Sequence, residues 1–202
     1  MIYAMQSINK NFDILREKIK KGRDRISNTG YDEFFYLVFN PQEILQVKKQ
    51  LKSWVLLLKH DNWNVEIFSM HEVIWRIFES DQLWNIYLKA DKDDPLNWEK
   101  MNSSLSQKLL DEKVGLLRVF ENKLQELGNN ERALLLVTDL EALHPFIRIG
   151  TIEAKLQGKF DTTIVFLYPG FRTGETKLKF LGFYPEDGNY RSVSHWWIKA
   201  KG

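Results

Sequence analysis

No cysteine occurs among the 202 residues, which excludes disulfides, thiolate metal centres and a thiol nucleophile, and fits a reducing compartment. Histidine is scarce as well. His60, His71, His144 and His195 are scattered, and no HxH or HExxH spacing sets two imidazoles on one helix face, so no metal site is expected. Long apolar runs are missing: Trp54 to Leu58 and Ala133 to Val137 fall far short of the roughly 18 residues of a spanning helix. The N-terminal MIYAMQSINKNF has no basic segment followed by an apolar signal core, so a cytoplasmic protein is expected, with no membrane attachment. A one-sided charge is lacking too. The formal net charge of +2 argues against a chain-wide attraction to nucleic acid and leaves only local patches. What remains is an ordinary globular composition, 44% hydrophobic and 28% charged, in a chain long enough for one domain and short for two. We read 1–202 as a single α/β domain.

The hydrophobic pattern alternates between helix and strand. Phe12, Leu15, Ile19 and Ile26 recur at helical spacing among Arg16, Lys18, Lys20, Lys21, Arg23 and Arg25, a basic amphipathic N-terminal helix within 1–30 that Gly22 and then Asn28-Thr29-Gly30 should end. Its expected role is to pack an apolar edge on the sheet. FFYLVF at Phe34 to Phe39 reads as a central parallel strand buried on both faces. Asn40, Pro41 and Glu43 then supply a helix cap, a first-turn proline and a capping box. Ile44, Val47, Leu51, Trp54, Val55 and Leu58 make the inward stripe of the helix that follows, with Lys48, Lys49, Lys52 and Lys59 around it. NVEIFS, from Asn64, is a second strand and Met70 to Ser80 a second covering helix. Residues 90–103, ADKDDPLNWEKMN and the serine after it, lack periodicity and read as an insertion loop. Ser104 with Gln107 offers another capping box before one long apolar stripe from Leu105 to Leu127, stopped by Gly128.

Ala133 to Thr138 and Thr162 to Tyr168 are two further strands joined by a helical crossover. Lys177 to Tyr184 and Tyr190 to Ile198, separated by Pro185-Glu186-Asp187-Gly188-Asn189, suit a C-terminal hairpin or edge strands. The expected architecture is a three-layer α/β/α fold with a mainly parallel sheet of about four strands.

Ligands of open parallel sheets bind beyond the carboxyl ends of the strands, so the turns there are the place to look for chemistry. None carries GxxxxGK[ST] or GxGxxG, and Pro41 removes an amide that a phosphate would use. Candidate strand-exit residues are Asn40, Asp139, Glu141, His144, Arg148, Tyr168, Gly170 and Arg172. Asp139, Glu141 and His144 have the types needed for acid–base work, yet Asp139 equally suits a helix cap. No serine or cysteine nucleophile stands in an elbow motif. YPGFRTGETK, with Gly170, Gly174, Arg172 and Lys177, could cradle an anion, although a shaped strand exit explains it as well. Lys20, Lys21, Arg23, Arg25, Trp196 and Trp197 are candidates for a partner or nucleic-acid surface. Catalytic residues, metal and cofactor are expected to be none.

Taken in order, YLVFNPQEILQVKKQL, NVEIFSMHEVI, LLVTDLEALHPFIRIGTIEAKLQG, TTIVFLYPG, LKFLGF and NYR resemble the BrxB family of bacteriophage-exclusion (BREX) defence systems, over roughly Glu33 to Arg191. The most specific part is the succession Tyr168-Pro169-Gly170, Leu178-Lys179-Phe180 and Asn189-Tyr190-Arg191. The resemblance implies a small non-catalytic accessory subunit of a multi-gene system that modifies host DNA and blocks phage. The implied partners are a PglZ-like protein and other BREX components, with room for an indirect or weak DNA association. It also implies an acidic residue where Asn40 stands, so a charge role is not carried over to that position. A degenerate nucleotide-binding or hydrolytic enzyme using Asp139, His144 and Arg172, and a DNA-binding accessory using the basic helix, are the alternatives.

Overall fold

The computed structural model describes residues 2–26, 34–128, 130–173 and 177–187, with side chains in the first helix described over 8–21. Four parallel strands, β1 (Phe34–Phe39), β2 (Asn64–Ser69), β3 (Ala133–Thr138) and β4 (Thr163–Arg172), lie in the order β2-β3-β4-β1. Two short antiparallel strands, β5 (Leu178–Phe180) and β6 (Glu186–Asp187), extend the sheet from the far end of β4. The α/β class and the mainly parallel open sheet are as expected.

Side chains alternate across a pleated strand, and both faces are apolar. Phe35, Leu37, Phe39, Leu134, Leu136, Val165 and Leu167 meet α1 (Ile2–Ile26) and α2 (Ile44–His60). On the other face Phe34, Tyr36, Leu135, Val137, Ile164, Phe166 and Tyr168 meet α3 (Met70–Glu79), α6 (Leu116–Leu127) and α7 (Ile149–Leu156). The connectivity accounts for this division. The chain steps β2 to β3 to β4 in one direction with α3, α6 and α7 on one face; β1 to β2 runs the opposite way, so a right-handed crossover must put α2 on the other.

Several local expectations change. FFYLVF is not central: among the described residues β1 pairs with β4 alone. Its apolar run arises because helices cover both of its faces. The first helix runs through Gly22 to Ile26, anchored by Ile8, Phe12, Leu15 and Ile19. Phe12 stacks on Trp54 of α2 with centroids 4.5 Å apart, and the Trp54 indole N–H donates to Asn9 Oδ1 at 3.1 Å.

Residues 90–103 do not form an insertion loop. They complete α4 (Trp84–Asp93) and begin α5 (Trp98–Leu109), with only Asp94 to Asn97 between. Residues 90–100 are all exposed, so no apolar period marks that segment, and no residue of α4 is fully buried. Helix α4 rides on α3 through Trp84, edge-on to Trp75 and stacked over Phe78. Ser104 lies inside α5, its hydroxyl donating to the Lys100 carbonyl, and caps nothing. The single long stripe is two helices, separated where Asp111 Oδ1 accepts the amides of Lys113 and Val114. A Cβ on Gly115 would meet the Asp111 and Leu109 carbonyls at 2.4 and 2.5 Å, so that tight turn admits only glycine.

The YPG segment is not a strand exit. β4 continues through Pro169 and Gly170 to Arg172. Pro169 occupies the last parallel position, opposite Phe39, and Gly170 begins the antiparallel pairing, opposite Phe180. A Cβ on Gly170 would lie 2.4 Å from the Lys179 carbonyl and 2.7 Å from the Tyr168 ring. Glycine is therefore required by the close approach of β5. The hairpin joins β4 to β5, and Glu186–Asp187, expected as turn residues, pair with β5. Tyr190 to Ile198 lies outside the described residues.

Candidate functional site

Three strands deliver their carboxyl ends to one edge beneath α2. The turn after β1 forms as its sequence requires: Asn40 Oδ1 accepts from the Gln42 amide at 3.0 Å and Glu43 Oε2 from the Asn40 amide at 3.1 Å, closing a capping box over the 3-10 turn Pro41–Glu43. Asn40 is thus a helix cap. The turn aims α2 across the sheet and brings Lys48 over the end of β3.

At that end Asp139 adopts the left-handed conformation, φ 58 and ψ 37, and makes no capping bond to the 3-10 turn Leu140–Leu143. The capping role expected of it is not realised, because its carboxylate turns back to the sheet instead. Ser69 and Thr138, paired in register at the ends of β2 and β3, both donate hydroxyl hydrogens to Asp139 Oδ2 at 2.7 Å. Lys48 Nζ stands 2.8 Å from Asp139 Oδ1 and 2.8 Å from Glu141 Oε1. Ser69 Oγ also accepts the Glu72 amide at the start of α3 at 3.3 Å. Asp139 therefore ties α2, the ends of β2 and β3 and the N-terminus of α3 into one clasp.

Burial pushes the Asp139 carboxyl up, but the bonds from Lys48, Ser69 and Thr138 outweigh it and hold the group below its ordinary value. Burial lowers Lys48 in turn, and the two carboxylates overcome that and raise it. Both groups are held charged, so Asp139 is a poor proton acceptor near neutral pH. A cavity of about 20 Å³ adjoins the clasp, with Phe39, Ile44, Val47, Leu51 and Leu167 on its apolar side. It holds about one water molecule, far less than a nucleotide needs. Among the described residues no three His, Asp or Glu side chains gather to hold a metal ion.

The other candidates separate from this clasp. His144 contacts the aromatic residues beyond β5: Nδ1 hydrogen-bonds the Tyr184 hydroxyl, and the ring stands edge-on to Phe183 and Tyr184. The Arg148 guanidinium lies 3.5 Å over the Tyr184 ring. Burial raises the Tyr184 phenol, with the Arg148 charge acting the other way. Tyr168 is wholly buried against Tyr36 and Phe180 and can meet no ligand. Gly170 is closed in by β5 and Lys177 pairs with Glu186 at 3.5 Å; Gly174, the other glycine of the anticipated anion cradle, lies outside the described residues. Arg172 is on the α1 side, where burial first and the Arg172 charge second lower Lys18.

On the basic helix, Arg16 and Lys20 reach Asp61 at 2.8 and 3.1 Å, an intramolecular use of two cations. Burial raises the Asp61 carboxyl, but those bonds prevail and lower it. Lys21 is exposed. The side chains of Arg23 and Arg25, and all of Trp196 and Trp197, lie outside the described residues.

Sequence reasoning missed Lys48, Ser69 and Thr138 as members of the site, and Tyr184 as the partner of His144 and Arg148. Ser69 had a local signal, three residues before Glu72 at a helix start. Lys48 had none, since its partners are brought to it only by the crossover.

An open-sheet α/β protein whose carboxyl edge is clasped by a lysine–carboxylate network is the class this geometry defines. The chain belongs to the BrxB family: residues 66–194, well over half of it, match the model for BREX protein BrxB, which makes it a component of BREX phage defence. The match covers Ser69, Asp139 and Glu141 but begins after α2. No curated protein and no solved structure matches the chain. Among the described residues no helix is long and apolar enough to cross a membrane.

Proposed function

We propose that this chain is a non-catalytic assembly subunit of a BREX system, binding the PglZ-like component in a complex linked to host DNA methylation and phage exclusion. Membership in the BrxB family supplies the system and makes other BREX components its natural partners. The observation that carries the non-catalytic part is Asp139: the best-placed carboxylate at the sheet edge is engaged by Lys48, Ser69 and Thr138 at 2.7 to 2.8 Å. Asp139, His144 and Arg172, the three groups an enzyme would have used together, each serve a different neighbourhood.

Co-expression with the PglZ-like protein from the same gene cluster tests the assembly role. The two proteins should co-elute from size exclusion as one species; separate elution of two well-folded proteins would overturn it. For the non-catalytic role, Asp139→Asn and His144→Ala variants that remain folded should keep phage exclusion in cells, and loss of exclusion with the complex intact would point to chemistry at those groups.

A further inference from the structure

Helix α2 carries Lys48, Lys49, Lys52 and Lys59 and no aspartate or glutamate. Its inner face, Val47, Trp54 and Leu58, is buried. Diametrically opposite, at about 3.6 residues per turn, Leu45, Lys49, Lys52, Leu56 and Lys59 fall within about 80° of one another along about 21 Å of helix. The two leucines are 71% and 68% exposed. Lys48 is committed to Asp139 and Glu141, and Asp61, just past the helix, is committed to Arg16 and Lys20 on α1. Among the described residues Lys49, Lys52 and Lys59 have no carboxylate partner. In a chain of net charge only +2, three such cations interleaved with two exposed leucines make a local surface of defined chemistry.

We infer that the outer face of α2 is a docking surface for an acidic amphipathic segment of a partner protein, laid alongside the helix with its carboxylates on Lys49, Lys52 and Lys59 and its apolar side chains on Leu45 and Leu56. The charge selects an anionic partner, and unpaired lysines steer and orient such an encounter. The leucines select a protein over a phosphate backbone, because a backbone covers lysines while leaving both leucines in water; burying them against an apolar side chain is favourable. The surface precedes the residues that carry the family match, 66–194. The inference rests on the assembly reading above and names the face that assembly uses.

The test uses the full chain and the PglZ-like protein with which it is co-expressed. Lys49→Glu, Lys52→Glu and Lys59→Glu together should weaken the complex at least about 30-fold, since like charges would then face each other. The corresponding triple arginine variant should retain binding, and Leu56→Ser should weaken it about fivefold. All these positions are exposed, so thermal midpoints should stay unchanged, and carbodiimide cross-linking of the wild-type complex should join partner carboxylates to these lysines. If the complex forms but ignores the glutamate variant and cross-links elsewhere, the α2 surface is wrong while the assembly role stands. If no BREX component binds, both fail. If instead the lysines are needed for retention of duplex DNA and Leu56→Ser changes nothing, the surface reads phosphate and the protein-docking inference is overturned.

Discussion

Replacing Asp139 separates a structural clasp from a reactive carboxylate, and its cost can be worked from the contacts. The side chain is 17% exposed and that of Lys48 is 48% exposed, so the ion pair is largely screened and contributes about 0.5 kcal/mol. The two hydroxyl bonds to Oδ2 are worth about 1 kcal/mol each after allowance for partial exposure. Alanine at φ 58 adds about 1 kcal/mol, because it lacks the local hydrogen bonding that lets aspartate and asparagine tolerate the left-handed region. Asp139→Ala should therefore lower the free energy of unfolding by about 3 to 4 kcal/mol. Asp139→Asn keeps the backbone preference and one or more hydroxyl bonds, and should cost about 1 to 1.5 kcal/mol. Urea unfolding followed by tryptophan fluorescence reads both, with an unchanged m-value showing that the native state is otherwise intact.

The pH dependence carries the sign of the argument. The Asp139 carboxyl sits below its ordinary 3.8 in the folded state, so its stabilisation is complete above that value and is lost as pH falls through the lower folded value. Lys48 is raised above 10.5, so its share is complete below 10.5 and is lost as pH climbs through the higher folded value. The gap between wild type and Asp139→Asn should be flat from about pH 5 to 10, close as pH falls through the lowered carboxyl value, and narrow at the alkaline end only by the share of the ion pair, since the two hydroxyl bonds do not depend on Lys48. Equal losses for the alanine and asparagine variants, or a gap that does not shrink at all as pH falls below the ordinary carboxyl range, would refute the clasp.

Two further variants probe the positions that shape the edge. Gly170→Ala should prise β5 from β4, because the new methyl meets the Lys179 carbonyl; we expect a loss of about 2 kcal/mol or more and faster amide exchange confined to residues 178–187, and a neutral substitution would refute the close approach. Tyr36→Phe removes a hydroxyl bond from Glu153, which is only 5% exposed on α7; the expected loss of about 1 to 3 kcal/mol is checked by the shift in thermal midpoint, and no shift would mean that the buried carboxylate does not need that hydroxyl.

Much of the fold was written in local chemistry. Asn40, Pro41 and Glu43 specify a capping box without help from distant residues, and the box forms. The six-residue runs that became β1 and β3 carried enough apolar density to be read as buried strands, NVEIFS was legible as a strand between two helical patterns, and Val47, Trp54 and Leu58 announced the inner face of α2 through helical spacing. The misreadings have separate physical origins. Residues 90–103 looked like a loop because the helix end and helix start they contain are almost wholly exposed, and an exposed stretch of helix leaves no apolar period in the sequence. The Leu105 to Leu127 stripe looked continuous because the Asp111 turn that redirects it breaks direction without breaking composition. Pro169 and Gly170 looked like a turn because those residues usually mark one, whereas here they change a strand from parallel to antiparallel pairing.

By itself the sequence determined the α/β alternation, the Asn40 capping box, the absence of thiol chemistry and the resemblance to the BrxB family, because each depends on residues close together in the chain or on their order. The tertiary structure decided which strand lies at an edge, which cations remain without carboxylates and which carboxylate is engaged. Those properties depend on strand order, and strand order is fixed by how both apolar faces of the sheet are covered at once. FFYLVF reads the same at an edge as in the centre, and Lys48 reads the same as Lys49, until the crossover sets one against Asp139 and leaves the other facing outward.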